Sequence, residues 1–145
     1  MWWSRIYRKS YFYQLVDKGE EVIVVDNLET GHIEAVNPKA KFYKVDIRNE
    51  EELDKVFKEN DITEVIHFAA NSLVGESMTN PLKYYNNNVH GTEVLLKVMI
   101  ANNVKKIVFS STAATYGEAT KMPIVETDRT EPTNAYGETK LEWKK

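Results

Sequence analysis

Four short runs rich in β-branched residues recur along this chain, and each but the first is followed by a stretch of helical composition. That alternation restricts the fold more than any other feature. The runs are "EVIVVDN" (21–27), "KFYKVDI" (41–47), "ITEVIHFAA" (62–70) and "KKIVFSST" (105–112). Each is short, apolar and closed by polar or small residues, as a strand buried in a sheet should be. Between them, "NEEELDKVFKEN" (49–60) sets Leu53, Val56 and Phe57 at helical spacing, with acids in the first turn where the helix dipole favours them. The stretch "NPLKYYNNNVHGTEVLLKVMIANNV" (80–104) predicts one long helix with Leu82, Tyr85, Val89, Val94, Leu95, Val98 and Met99 on its apolar face, weakened locally by Gly91. "NAYGETKLEWKK" (134–145) has helical composition too. Strands alternating with helices at these lengths imply right-handed crossovers and a parallel sheet covered on both faces. The fold class expected is therefore α/β, a doubly wound parallel sheet in one domain, which suits 145 residues.

Composition narrows the function. A net charge of −3 argues against nucleic acid or an anionic membrane as a general partner. There is no cysteine, so neither a disulfide framework nor a thiolate metal site is available. The three histidines are widely spaced and form no ligand pattern, so no metal site is expected. No apolar run reaches the length of a membrane span and the opening lacks a secretory pattern, which makes the cytoplasm the default location.

Ligands of open parallel sheets bind beyond the carboxyl ends of the strands. Asp26 stands there after "EVIVV", where an acid would take the ribose hydroxyls of a dinucleotide, although an Asp in that place is commonly a turn former. Asp46 ends the next strand and has the same two readings, an adenine contact or a cap. His67 by itself reads as a core or boundary residue, and the small residues that follow allow a ligand to approach the backbone. The strongest signal joins "SSTAATYG" to "YGETK". Tyr136 and Lys140 lie four apart on one helix face, and Thr112 just past a strand is placed to bond the same substrate oxygen. A phenol is a poor base at neutral pH, and a nearby ammonium improves it by favouring the phenolate.

Taken in order, "VVDNL", "VDIR", "VIHFAANSLVGES", "NPLKYYNNNVHGT", "KKIVFSSTAATYGE" and "NAYGETK" resemble the extended short-chain dehydrogenase/reductase family, and within it the sugar-nucleotide 4-epimerases, over about residues 15 to 145. The resemblance implies a Rossmann-type domain that binds NAD and an enzyme that interconverts UDP-glucose and UDP-galactose through a 4-keto intermediate. Asp26 and Asn27 would hold the adenosine ribose, and Asp46 with Ile47 would flank the adenine. Phe68, Ala69 and Ala70 would line the pyrophosphate and ribose side, with Asn88 nearby. Tyr136 would be the base at the sugar 4-hydroxyl, Lys140 would bind the nicotinamide ribose, and Thr112 would assist the proton transfer. A UDP-sugar is the implied substrate, and a homodimer the common assembly. The rivals are a related sugar-nucleotide dehydratase or decarboxylase, and a non-catalytic binding module. A dehydratase would be expected to carry an acid beside Thr112, where Ser111 and Ala113 stand.

Two departures from the family pattern lead to the expectation of an inactive fragment: the first strand with its glycine-rich turn is missing, and the sugar-nucleotide part beyond Lys145 is absent. The opening "MWWSRIYRKSYFYQ" holds three cations, no acid and no glycine. Tryptophan has the single codon TGG, and read one base later each such codon begins a glycine triplet. A permitted choice of codons for residues 1–14 then yields a glycine-rich phosphate loop. The opening is accordingly expected to be a frame-shifted reading of that loop, in preference to a membrane-surface helix or a contact for single-stranded nucleic acid.

Overall fold

The computed structural model describes residues 11–119 and 121–144. The expectation for the frame-shifted opening lies largely outside them. Residues 11–17 are helical (α1) and lead to strand β1, Ile23–Val25. Strand β2 is Lys41–Tyr43, helix α2 Glu50–Glu59 and strand β3 Glu64–His67. Two short helices follow, α3 (Val74–Thr79) and α4 (Pro81–Tyr84), then a π-helical segment Tyr85–His90 and helix α5, Gly91–Ala101. Strand β4 is Lys106–Phe109 and helix α6 is Ala135–Leu141.

The strand expectations hold in position and direction. β1 pairs with β2 in parallel, with Val24 opposite Phe42. β3 pairs with β4 in parallel, with Ile66 opposite Val108. Among the described residues these form two two-stranded parallel sheets, in keeping with the incomplete parallel sheet expected. The core follows from the helix patterns. Leu53 and Phe57 of α2 meet Val94, Leu95, Val98 and Met99 of α5 in one buried cluster, and Val25 and Val65 pack onto it from the strands. Helix α2 starts where its sequence says it should: the Asn49 side chain accepts a hydrogen bond from the Glu52 amide (3.2 Å), and three glutamates fill the first turn.

The long helix expected over 80–104 is present, and its expected apolar face is corrected. The helix runs unbroken from Pro81 to Ala101, and what differs is its register, because a π-turn at Tyr85–His90 lies within it. A π-turn takes up extra residues, so the helical period expected from Leu82 through Tyr85 to Val94 slips at that point. Leu82 is 78% exposed and Tyr85 is also on the surface, while Tyr84 is completely buried in their place. Gly91 has a packing reason. A Cβ there would lie 2.7 Å from Ile47 Cδ1, so glycine lets α5 seat against the end of the β2 connection. Among the described residues no helix is long and apolar enough to cross a membrane.

Leu53→Ala should lower the unfolding free energy by about 3 kcal/mol, as a methyl-rich core deletion that neighbours cannot refill. Urea unfolding of the two proteins, compared by midpoint and slope, checks this.

Candidate functional site

The carboxyl ends of β1 and β3 converge. A small cavity of about 40 Å³ between them is lined by Asp26, Asn27, Ala69, Ala70, Asn71 and Asn87, among others. The chain leaving β1 is tightly turned. Asp26 Oδ1 accepts a hydrogen bond from the Leu28 amide at 2.7 Å, and Leu28 has φ 60°, a left-handed conformation that costs a leucine roughly 1 kcal/mol. Gly31 folds back over this turn. A Cβ there would lie 3.1 Å from Asp26 Oδ1, so a larger residue at 31 would crowd that acid.

Asp46 is differently placed. Its two oxygens take the Arg48 amide (2.9 Å), Arg48 Nε (2.8 Å), Arg48 Nη2 (2.6 Å) and Asn27 Nδ2 (3.0 Å). A carboxylate has about four lone-pair sites, so this one is committed to tying the ends of β1 and β2 together. The Arg48 guanidinium, opposed by burial and aided by Asn27, holds the acid far below the usual carboxylate range. Ile47 is buried beside it, lining the same small cavity.

Beyond β3, Phe68 meets Phe12 of α1 edge-on at 6.3 Å, while Ala69 and Ala70 line the cavity. Asn88 and Asn87 divide their work. Asn88 is 2% exposed and its amide is spent within the protein. It accepts from the Asn71 amide (2.8 Å) and donates to the Asn71 carbonyl (3.0 Å) and to Thr139 Oγ1 (3.0 Å). Asn87, one residue earlier, donates to Asn88 Oδ1 (3.0 Å) and is the asparagine that lines the cavity. The sequence reading singled out Asn88 and passed over Asn87. The run of three asparagines, poor helix formers in mid-helix, was the available signal.

The other half of the site is built on α6. Asn134 caps it, accepting from the Gly137 amide at 2.8 Å. Thr112 caps the short 3₁₀ turn Ala113–Tyr116 after β4, accepting from the Ala114 amide at 3.2 Å. The helix and the turn touch at Gly137, where a Cβ would lie 2.5 Å from the Ala114 carbonyl oxygen. That close approach brings the segment carrying Tyr136 against the one carrying Thr112. Lys140, one turn further along, is 3% exposed, with Nζ 4.3 Å from the centre of the Phe109 ring at the end of β4. Phe109 in turn lies 5.7 Å from the His67 ring.

The polar neighbours fix which groups carry charge. Burial, and then the Lys140 charge, lower His67 to about 4, so it is neutral at physiological pH. Thr92 Oγ1 already donates to the Asn88 carbonyl (2.7 Å), so its 2.9 Å contact with His67 Nε2 is one in which the ring N–H donates. Tyr84 sits edge-on to Tyr136 at 6.5 Å. Burial and the Glu76 carboxylate push the Tyr84 phenol up to about 12, which keeps it protonated and unsuited to act as a base. Glu76 also bonds Lys83 (3.0 Å), which reaches Glu29 beyond β1 at 3.2 Å. This network was not anticipated from the sequence.

The model of the NAD dependent epimerase/dehydratase family matches residues 11–145. The chain belongs to that family. It is 54% identical over 132 residues to UDP-glucose 4-epimerase from Lacticaseibacillus casei, covering 91% of this chain and 40% of that relative. A crystal structure of UDP-glucose 4-epimerase superposes with a TM-score of 0.92 at 53% identity, over 94% of this chain and 41% of the other. The epimerase from Bifidobacterium longum, solved in complex with NAD+ and UDP, superposes with a TM-score of 0.89 at 43% identity, over 94% of this chain and 43% of the other. The fold is thus the Rossmann-type NAD-binding fold of these enzymes, and the chain spans about 40% of the length of the curated relatives.

Two outcomes test the geometry. Gly137→Ala should force α6 away from the Ala113–Tyr116 turn, at a cost of about 1–3 kcal/mol read by urea unfolding. The second concerns pH. The ordinary histidine value is 6.5 and the folded value of His67 about 4, so on acidification the unfolded chain takes up the proton first. Stability is therefore complete above pH 6.5 and falls between 6.5 and 4, by up to about 3 kcal/mol at roughly 1.4 kcal/mol per pH unit. His67→Gln should flatten that window in unfolding curves measured at both ends of it.

Proposed function

We propose that this chain is the cofactor-binding and proton-transfer part of a UDP-glucose 4-epimerase. The observation that carries the reading is the Gly137 contact, which draws the Tyr136 segment of α6 to the Thr112 turn while Lys140 is buried against the end of β4. Membership of the epimerase family supplies the chemical setting.

The residues present suit NAD. An open carboxylate at Asp26 accepts from ribose hydroxyls and repels a 2′-phosphate, which favours NAD over NADP. Asn27 and Asn87 border the same cavity, together with the small residues Ala69 and Ala70. When bound, NAD supplies the hydride acceptor for the carbon bearing the sugar 4-hydroxyl. Tyr136 removes the proton of that hydroxyl, and Thr112 Oγ1 bonds the same oxygen and orients it. Lys140 places its ammonium beside the ribose on the nicotinamide side. Asp46 and Ile47 shape the adenine end, Asp46 by anchoring Asn27. Phe68 closes the wall with Phe12. His67, held neutral, and Tyr84, held protonated, are not suited to take that proton. Ser111 and Ala113 flank Thr112, so no carboxylate stands beside it to drive the elimination that a dehydratase performs.

A chimera checks this. Residues 15–145 replacing the matching segment of the Lacticaseibacillus casei enzyme should interconvert UDP-glucose and UDP-galactose, and Tyr136→Phe within it should lower kcat at least about 100-fold. A chimera that folds and retains NAD but turns over neither sugar would contradict the reading.

A further inference from the structure

Tyr84 is fixed at both ends. It is completely buried, and its hydroxyl sits among three polar groups. It accepts from the Leu73 amide at 3.1 Å. Its single proton faces two acceptors, the Leu73 carbonyl at 2.7 Å and Glu76 Oε2 at 2.8 Å. Glu76 is held in turn, because its other oxygen accepts from Lys83 at 3.0 Å and the same ammonium reaches Glu29 at 3.2 Å. With its Cβ on α4 and its oxygen anchored at Leu73 and Glu76, the ring keeps one freedom, a flip about its own long axis. A phenylalanine would fill the same volume, so packing alone does not call for the hydroxyl and its carboxylate.

What the ring touches gives the anchor a use. Tyr84 meets Tyr136 with 6.5 Å between ring centres and 73° between planes, an edge-on contact. Tyr136 is the second residue of α6, directly behind Ala135 and the Asn134 cap. Long side chains in a helix lean back over the preceding turn, and here no preceding turn of helix lies under the ring. The Asn134 cap and the Gly137 contact set where the Tyr136 backbone stands. They leave the direction of its phenol open. Tyr84 supplies that support, and α3, which carries Glu76, packs on α6 as well.

The geometry points to Tyr84 as a positioning residue for Tyr136, with Glu76 as its anchor. Tyr84 exchanges no proton. Its ring edge holds the Tyr136 ring so that the phenol oxygen stays aimed at the substrate hydroxyl. The role rests on Tyr136 being the base at the sugar 4-hydroxyl. A base held in the wrong direction costs turnover and leaves the binding of sugar and cofactor as it was.

The test is made in the full-length chimera, with Tyr136→Phe as reference. Tyr84→Phe removes only the anchored hydroxyl and should lower kcat about tenfold, with KM for UDP-galactose and the NAD retained per subunit unchanged. Glu76→Ala should act in the same way. Glu76→Gln should keep kcat within about twofold of the parent. Its oxygen can still accept from Lys83, and its amide N–H can donate to the Tyr84 hydroxyl, whose proton then goes to the Leu73 carbonyl. A role in stability alone would change the yield of folded enzyme and not the turnover per retained NAD. In the 145-residue chain itself, cross-relaxation between the ring protons of Tyr84 and Tyr136 should be present, should weaken in Glu76→Ala and should persist in Glu76→Gln. Unchanged kcat in Tyr84→Phe, or equal losses in Glu76→Gln and Glu76→Ala, would overturn the proposal and leave Tyr136 as the base. Full turnover by Tyr136→Phe would overturn both.

Discussion

Asn88 is the residue on which the site depends, because its side-chain amide joins the exit of β3 to α6. The side chain forms a paired hydrogen bond with the Asn71 backbone at the exit of β3, and its remaining donor reaches Thr139 on α6. Its own carbonyl accepts from Thr92 Oγ1 and from Trp143 Nε1, the latter at 3.1 Å. Every one of these groups is buried or partly buried, and a buried amide left unpaired costs about 1–3 kcal/mol per group. The helix carrying Tyr136 and Lys140 is therefore held in place relative to the strand ends by hydrogen bonds as well as by apolar contact. The π-segment at Tyr85–His90 makes this feasible, since it lets Asn87 and Asn88 both be buried in one turn.

Electrostatics complete the arrangement. Lys140 is a cation almost wholly removed from solvent, and the ring of Phe109 lies against it. The next group along, His67, stays uncharged because burial and that same cation oppose its protonation. The carboxylates nearest the site are occupied elsewhere: Asp46 by Arg48 and Asn27, Glu76 by Lys83 and Tyr84. Asp26 is the exception, with an amide of its own turn on one oxygen and glycine keeping the approach to it open.

Much of this was legible in the sequence, for identifiable reasons. β-branched runs closed by polar residues gave all four strands, because a buried strand has little freedom in composition. Asn49, three glutamates and the Leu53, Val56, Phe57 spacing gave α2, since caps and periodicity are local signals. The Tyr136, Lys140 and Thr112 set was singled out by its spacing, and the fold brings the segments that carry Tyr136 and Thr112 together at Gly137. What escaped was tertiary. The slip of period that buries Tyr84 and exposes Leu82 comes from the π-segment, and no apolar pattern announces it. The division of labour between Asn87 and Asn88 depends on which one faces Asn71, and the Glu29–Lys83–Glu76 bridge joins residues far apart in the chain.

The most direct measurement of the central claim follows the side-chain amides of Asn87 and Asn88 by NMR while NAD is titrated into the chain. The account predicts that the Asn87 resonances move with saturation while those of Asn88 stay fixed, since one amide borders the cavity and the other is committed to Asn71 and Thr139. Movement of the Asn88 amide with Asn87 unchanged would contradict it.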